Sequence, residues 1–130
     1  MISYIRVIYE TLVVSYILRK YSFGYVADLY SSKYGNMSSI NTLEKHKHNC
    51  DTMLKVVDKV CFWFFGNAQC LHRSLIGFKL ARKKGIKVQM VIGVKKFPFS
   101  SHAWLEYNNS VINDGQSVRE NYREVLRIGG

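Results

Sequence analysis

Residues 70–74 read Cys-Leu-His-Arg-Ser, residues 101–105 read Ser-His-Ala-Trp-Leu, and residues 111–115 read Val-Ile-Asn-Asp-Gly. A thiol, an imidazole and a carboxylate thus follow one another at Cys70, His102 and Asp114. The spacings suit a cysteine on one helix facing a histidine and an acid on two neighbouring strands. Gly66-Asn67 interrupts the helical pattern before Cys70. Asn67 is a good N-cap for a next helix over residues 68–84 that stops at Gly85. On that helix Leu71, Leu75 and Phe78 mark one face and Ile76 and Leu80 another, which predicts a central helix buried on more than one side.

Working outward, Ile86, Val88, Met90, Ile92 and Val94 alternate with Lys87, Gln89 and Gly93, the pattern of a strand. A loop over residues 95–101 holds the only proline, Pro98. A strand over 102–106, a turn at Asn108-Asn109 and a strand over 110–114 come next. The tail, with Val118, Tyr122 and Val125, reads as a helical turn or an edge strand. Upstream, Leu43, His46, Cys50, Met53, Val57, Val60 and Phe64 step by threes and fours, which predicts a long amphipathic helix over 42–64. Residues 2–20 form a helix in which Ser3, Arg6 and Glu10 make one narrow polar stripe and Ile, Val, Leu and Tyr fill the rest. A shorter helix over 23–34 ends at Gly35-Asn36. The expected architecture is a single α+β domain over 1–130, with N-terminal helices over 1–65 and a helix with a small antiparallel sheet over 66–130.

Composition bounds the function. A chain of 130 residues, 48% hydrophobic and 14% aromatic, can bury a core without disulfides. Nineteen basic against nine acidic residues give a formal charge of +10, which favours acidic partners. The basic residues are not interleaved with stacking aromatics in a known motif, so nucleic acid is not expected. Three cysteines without C-x-x-C spacing suggest neither a disulfide framework nor a zinc ribbon, and a reducing, cytoplasmic setting is the simpler home. Arg6, Glu10 and Arg19 break any uncharged run of about 18 residues, so no span is expected and membrane association is not favoured. His46-x-His48-x-Cys50 is read as packing, because His48 leaves the apolar stripe and a fourth ligand is missing; no metal or cofactor is expected.

A cysteine attacks as its thiolate, so Cys70 needs surroundings that lower its pKa from about 8.5. A helix start supplies unpaired N–H groups and the positive dipole end. Eight Lys or Arg and no acid lie between Cys70 and Pro98. An imidazolium at His102 would be the main partner, and Asp114 would hold its ring and tautomer. Facing Asp114 to His102 requires Glu106 to pair with Ser110 across a three-residue loop, 107–109, whose Asn109 tolerates the left-handed conformation. The backbone N–H of Cys70 is the first oxyanion donor, with Gln69 or Asn67 as the second; an Asn67 engaged in capping leaves Gln69 the freer. His72 points elsewhere on the helix. These features together point to a cysteine peptidase core. Other readings are an acyltransferase, in which an amine resolves the thioester, and a non-catalytic basic module that only binds peptide.

Cys70-Leu-His-Arg-Ser-Leu75, Arg82-Lys-Lys-Gly-Ile86, Val91-Ile-Gly-Val94, Pro98-Phe99, His102-Ala-Trp-Leu-Glu106 and Ile112-Asn-Asp-Gly115 resemble the transglutaminase-like B proteins of lasso peptide biosynthesis. The resemblance covers residues 55–128 and implies a papain/transglutaminase-like fold. It implies a leader peptidase with Cys70 as nucleophile, His102 as base and Asp114 as orienting acid, with Asn113 as a less favoured alternative for the acid. It further implies the split B2 form, which acts on a precursor peptide presented by a separate B1 leader-recognition partner, beside a lasso cyclase. Residues 1–35, with Tyr9 and Leu12, are then the expected B1 docking surface, and Lys83, Lys84, Lys95 and Lys96 the expected basic face toward acidic leader or partner groups.

Overall fold

A computed structural model describes residues 4–34, 43–65, 70–96, 99–107 and 109–129, the side chains of residues 23, 43–50, 64 and 65 excepted. The helical patterns become α1 (Tyr4–Lys20), α2 (Phe23–Tyr34), α3 (Leu43–Phe65) and α4 (Cys70–Lys83). The alternating segments become β1 (Gln89–Lys95), β2 (Ser100–Tyr107) and a short β3 (Ser110–Val111). The tail is both of the things its pattern allowed, a helical turn α5 (Val118–Asn121) followed by an edge strand β4 (Arg123–Ile128). The sheet is antiparallel with order β3-β2-β1-β4. An α+β fold results, as expected.

α4 is central because it has no solvent face along most of its length: every residue from Ser74 to Arg82 is buried. Leu75, Ile76 and Phe78 are each 0% exposed, and full burial of such a side chain stabilises by about 1.5–3 kcal/mol. Gly77 lets β2 and α3 close on the helix, since a Cβ there would meet Leu105 Cδ1 at 2.7 Å and Leu54 Cδ2 at 3.1 Å. Gly85, at φ 81°, ends α4 in the left-handed conformation. Its N–H bonds Arg82 O at 2.9 Å and the Ile86 N–H bonds Ala81 O at 3.0 Å, so the last carbonyls are satisfied. Ile86 and Val88 are buried in the connection, and β1 starts at Gln89 rather than Ile86. The buried Arg82 donates from Nε to Val88 O at 2.9 Å and from Nη2 to Gly129 O at 2.6 Å, tying the start of β1 to the end of β4.

α1 is turned against its binary pattern. Glu10, from the narrow polar stripe, is 1% exposed, and its Oε2 lies 2.6 Å from Lys79 Nζ on α4. Ile5, Tyr9, Leu12 and Tyr16 instead face outward at 40% exposure or more. This buried ion pair joins α1 to α4, and Val7, Thr11 and Val14 are the other buried residues of α1. The sheet is likewise covered on both faces. Met90 and Leu105 belong to the cluster around α4, while Val91, Trp104, Val111 and Val118 form a second cluster on the other side, packed by Tyr122. Glu106 in that second layer is 1% exposed and accepts from Trp104 Nε1 at 2.8 Å, with Arg127 Nη1 3.1 Å away.

The β2–β3 hairpin departs from expectation. Glu106 pairs with Val111 and Tyr107 with Ser110, so the loop has two residues, Asn108 and Asn109, rather than three. Asn109 does adopt a left-handed φ of 66°, but in the two-residue loop rather than the three-residue one. β3 also stops at Val111 instead of reaching Asp114.

Candidate active site

Cys70 is the first residue of α4 and half-buried, at the helix end where backbone N–H groups have no intrahelical acceptor. β2 passes this end. Residues 102, 104 and 106 of β2 pair across to Gly93, Val91 and Gln89 of β1, while Leu105 directs its N–H and C=O to the opposite edge. β3 is too short to cover that edge beyond Leu105, and the thiol of Cys70 takes its place, with the Ala103 N–H and the His102 ring as its hydrogen-bond partners.

Asp114 reaches the site by a bend. After Ile112, whose N–H still bonds Leu105 O at 3.0 Å, the chain leaves the ladder. The Asn113 side chain substitutes for it: Oδ1 accepts from Leu105 N–H at 2.7 Å and Nδ2 donates to Ser74 on α4 at 3.4 Å. The amide of Gln116 clasps the outer side of Val111, accepting from its N–H at 3.3 Å and donating to its C=O at 2.8 Å. Asp114 Oδ1 accepts from Gly115 N–H at 2.8 Å, and Oδ2 lies 2.6 Å from His102 Nε2. With Nε2 given to the carboxylate, Nδ1 is the ring nitrogen left for the thiol.

The ring is held on its faces too. Tyr122 stacks on His102 at 5.3 Å between centroids with planes 28° apart, and Trp104 lies at 6.1 Å. Gly93, the rung partner of His102, makes room for both aromatics: a Cβ there would stand 2.8 Å from Trp104 Cη2 and 2.8 Å from Tyr122 Cβ.

The electrostatics follow from these contacts. The hydrogen bond from His102 is the main cause that lowers the Cys70 thiol below its ordinary value, against burial, with the Ala103 N–H and the Arg73 charge assisting. His102 is raised, first by its bond to Cys70 and then, against burial, by Asp114. Burial alone would raise Asp114; the bonds from His102 and Gly115 N–H and the Arg73 charge overcome it and hold the carboxyl low. All three shifts favour a thiolate, an imidazolium and a carboxylate in a row, the charge pattern that nucleophilic attack on an acyl carbon uses. A cleft of about 220 Å³ opens onto the thiol, lined by Cys70, Leu71, Ile92, Ser101, His102 and Ala103.

The other sequence-based candidates fall as follows. Asn67 and Gln69 lie outside the described residues, as do the side chains of His46, His48 and Cys50; among the described residues no cluster of His, Cys, Asp or Glu could hold a metal ion. The Asn113 amide is occupied with Leu105 and Ser74 rather than with His102. Tyr9 and Leu12 are 60% and 54% exposed. The four lysines do not form one patch. Lys83 ends α4 and Lys84 follows it, and the helix's 14 residues put them about 20 Å from Cys70. Lys95 and Lys96 sit at the other end, where β1 meets the start of β2. Lys95 Nζ lies 5.3 Å over the Tyr122 ring, behind His102. No helix among the described residues is long and apolar enough to cross a membrane.

Residue-by-residue reading missed Arg73, Tyr122 and the bend-forming role of Asn113. Arg73 had a signal, since it stands three residues after Cys70 and so on the same side of the helix. Its Nη2 lies 3.1 Å from Asp114 Oδ2. Tyr122 had none, because its approach to His102 depends on β4 crossing to the far side of β1.

Among curated proteins, the chain is similar to the microcin J25-processing protein McjB of Escherichia coli, 33% identical over 61 residues, which cover 47% of this chain and 29% of that protein. No solved structure matches it. The model of the transglutaminase-like superfamily matches residues 17–127, which take in α2 to α5 and the whole thiol–imidazole–carboxylate row, and the chain belongs to that superfamily.

Proposed function

We propose that this chain is a cysteine peptidase that removes the leader from a lasso peptide precursor. The observation that carries this reading is the row itself: a thiol at a helix start, bonded to an imidazole whose Nε2 lies 2.6 Å from a buffered carboxylate. Membership of the superfamily and the likeness to a microcin-processing protein support this reading. Cys70 is the nucleophile. Its thiolate attacks the scissile carbonyl, His102 passes a proton to the leaving amine, and a water activated by the same ring resolves the thioester. Asp114 keeps Nε2 engaged so that Nδ1 faces the reaction. The helix-start N–H of Cys70 donates to the developing oxyanion, with Gln69 or Asn67 as further donor candidates.

A B1 partner presents the leader. The outward apolar face of α1, with Ile5, Tyr9, Leu12 and Tyr16, is the docking surface for that partner, since a face this apolar on a soluble domain is normally covered. Titrating the chain with B1 and comparing wild type with Tyr9→Asp and Leu12→Asp tests this; unchanged affinity in folded variants removes it.

The decisive experiment incubates the chain with B1 and a candidate precursor, wild type beside Cys70→Ala, and reads product masses. Cleavage by the wild type alone is expected. Cleavage by both sinks the nucleophile assignment. Product heavier by a joined amine, rather than by water, replaces hydrolysis with acyl transfer, the reading that the superfamily description favours next.

A further inference from the structure

The carboxylate that orients His102 is itself gripped from behind, and the grip leads out of the site into α3. Arg73 Nη2 lies 3.1 Å from Asp114 Oδ2, the same oxygen that meets His102 Nε2 at 2.6 Å. On its other side Arg73 Nε faces Asp58 Oδ1 at 3.7 Å. The Arg73 side chain is 13% exposed. Its Nε and Asp58 Oδ1 are both buried atoms without a hydrogen bond, and they face each other as an ion pair. Four charged or titratable groups thus stand in sequence through space: Asp58 on α3, Arg73 on α4, Asp114 on the bend, and His102 on β2. Cys70, one turn before Arg73, closes the row.

We propose that Arg73 is a positioning residue for the proposed nucleophile, fixing the orientation of Asp114 and, through it, of the His102 ring, and that Asp58 anchors Arg73 in that pose. Without Arg73 the Asp114 carboxylate is held by the Gly115 N–H on Oδ1 and the His102 ring on Oδ2. The guanidinium adds a hold from α4, and its rigid fork faces two carboxylates at once. Its charge also helps to hold the Asp114 carboxyl low, after the bonds from His102 and the Gly115 N–H. Cys61, buried on α3, lies within the field of both Arg73 and Asp58 but is pushed up to about 11 by burial, so it does not compete as a nucleophile.

This rests on the peptidase reading, and its test separates the two. The rate of Cys70 alkylation by iodoacetamide is followed against pH by peptide mapping, on the full chain, for wild type, Arg73→Met, Arg73→Lys and Asp58→Asn. Arg73→Met keeps the bulk and loses the charge and fork; its profile should move toward higher pH. Arg73→Lys restores the charge and should bring the profile back, which a packing role would not do. Leader cleavage by both Arg73 variants should still fall on the order of tenfold to a hundredfold, because neither spans two carboxylates. Asp58→Asn decides the anchor and also serves if Arg73→Met does not fold. Loss of a negative charge by itself moves the profile to lower pH, whereas release of Arg73 moves it to higher pH, and the second is expected. A folded Arg73→Met with the wild-type profile overturns the proposal, and a downward shift in Asp58→Asn overturns the anchoring role. A wild type in which Cys70 reacts no faster than Cys61 overturns the peptidase reading instead.

Discussion

His102 Nε2 and Asp114 Oδ2 lie 2.6 Å apart although the two residues share no rung of the sheet. The β2–β3 ladder is in the register that would carry them apart, Glu106 to Val111 and Tyr107 to Ser110. They meet because the chain leaves the ladder after Ile112 and the Asn113 side chain occupies the vacated acceptor position opposite Leu105. A side-chain amide thus does what one residue of register would otherwise have done.

Asn113→Ala should therefore weaken both the fold and the site. It leaves the buried Leu105 N–H without its acceptor, which costs about 1–3 kcal/mol, and it releases the bend that carries Asp114. The expected outcome is a lower thermal midpoint together with a Cys70 alkylation profile shifted toward that of an ordinary thiol. A variant that loses stability but keeps the profile would mean that Arg73 alone holds Asp114.

That relationship also shows what the sequence could reveal and what it could not. The helix start at Cys70, the buried central helix and the thiol, imidazole and carboxylate that the fold brings together were legible, because apolar spacing and residue chemistry are local properties. The hairpin register was not. Two-residue and three-residue loops both fit Asn108-Asn109, and the requirement that His102 meet Asp114 chose the wrong one, since a side chain can substitute for a backbone rung and Asn113 gives no local sign of it. Glu10 misleads in the same way: a lone acid on an apolar helix reads as its solvent edge until Lys79, far along the chain, is found 2.6 Å away.

Glu10→Ala should cost more than any exposed substitution on α1. Removing one partner strands the Lys79 ammonium, 11% exposed, in the helix interface, and breaking a buried pair in this way costs about 3–5 kcal/mol. Replacing both, as Glu10→Leu with Lys79→Met, should recover most of the loss in a urea titration. If the single and double variants unfold at the same denaturant concentration, the pair is not what fixes α1 on α4.

Gly93→Ala tests the stack on His102. The added Cβ would stand 2.8 Å from both Trp104 and Tyr122, and overpacking of this kind costs about 1–3 kcal/mol. Something must move, and the side chain least enclosed is Tyr122, which rests on the ring. Leader cleavage should fall in Gly93→Ala and in Tyr122→Ala alike, with the thermal midpoint lowered more in the glycine variant. Full activity in folded Tyr122→Ala would assign the ring orientation to Asp114 and Arg73 only.

The pH dependence has a definite sign. The Cys70 pKa is lowered in the fold, chiefly by His102, so its ionisation stabilises the fold fully above the unfolded thiol value of 9.0 and the contribution is lost as pH falls through the lowered value. The His102 pKa is raised, chiefly by Cys70, so its protonation stabilises the fold fully below the unfolded value of 6.5 and is lost as pH rises through the raised value. Both shifts act in the direction of a thiolate beside an imidazolium, so Cys70 should alkylate at lower pH than Cys61, which burial pushes up to about 11. Cys70→Ala removes the first cause of the His102 shift, so the histidine should titrate at lower pH in that variant, read by NMR of ring-labelled protein. An unchanged His102 titration would show that the thiol and imidazole do not share a proton, and the proposed nucleophile would lose its activating partner.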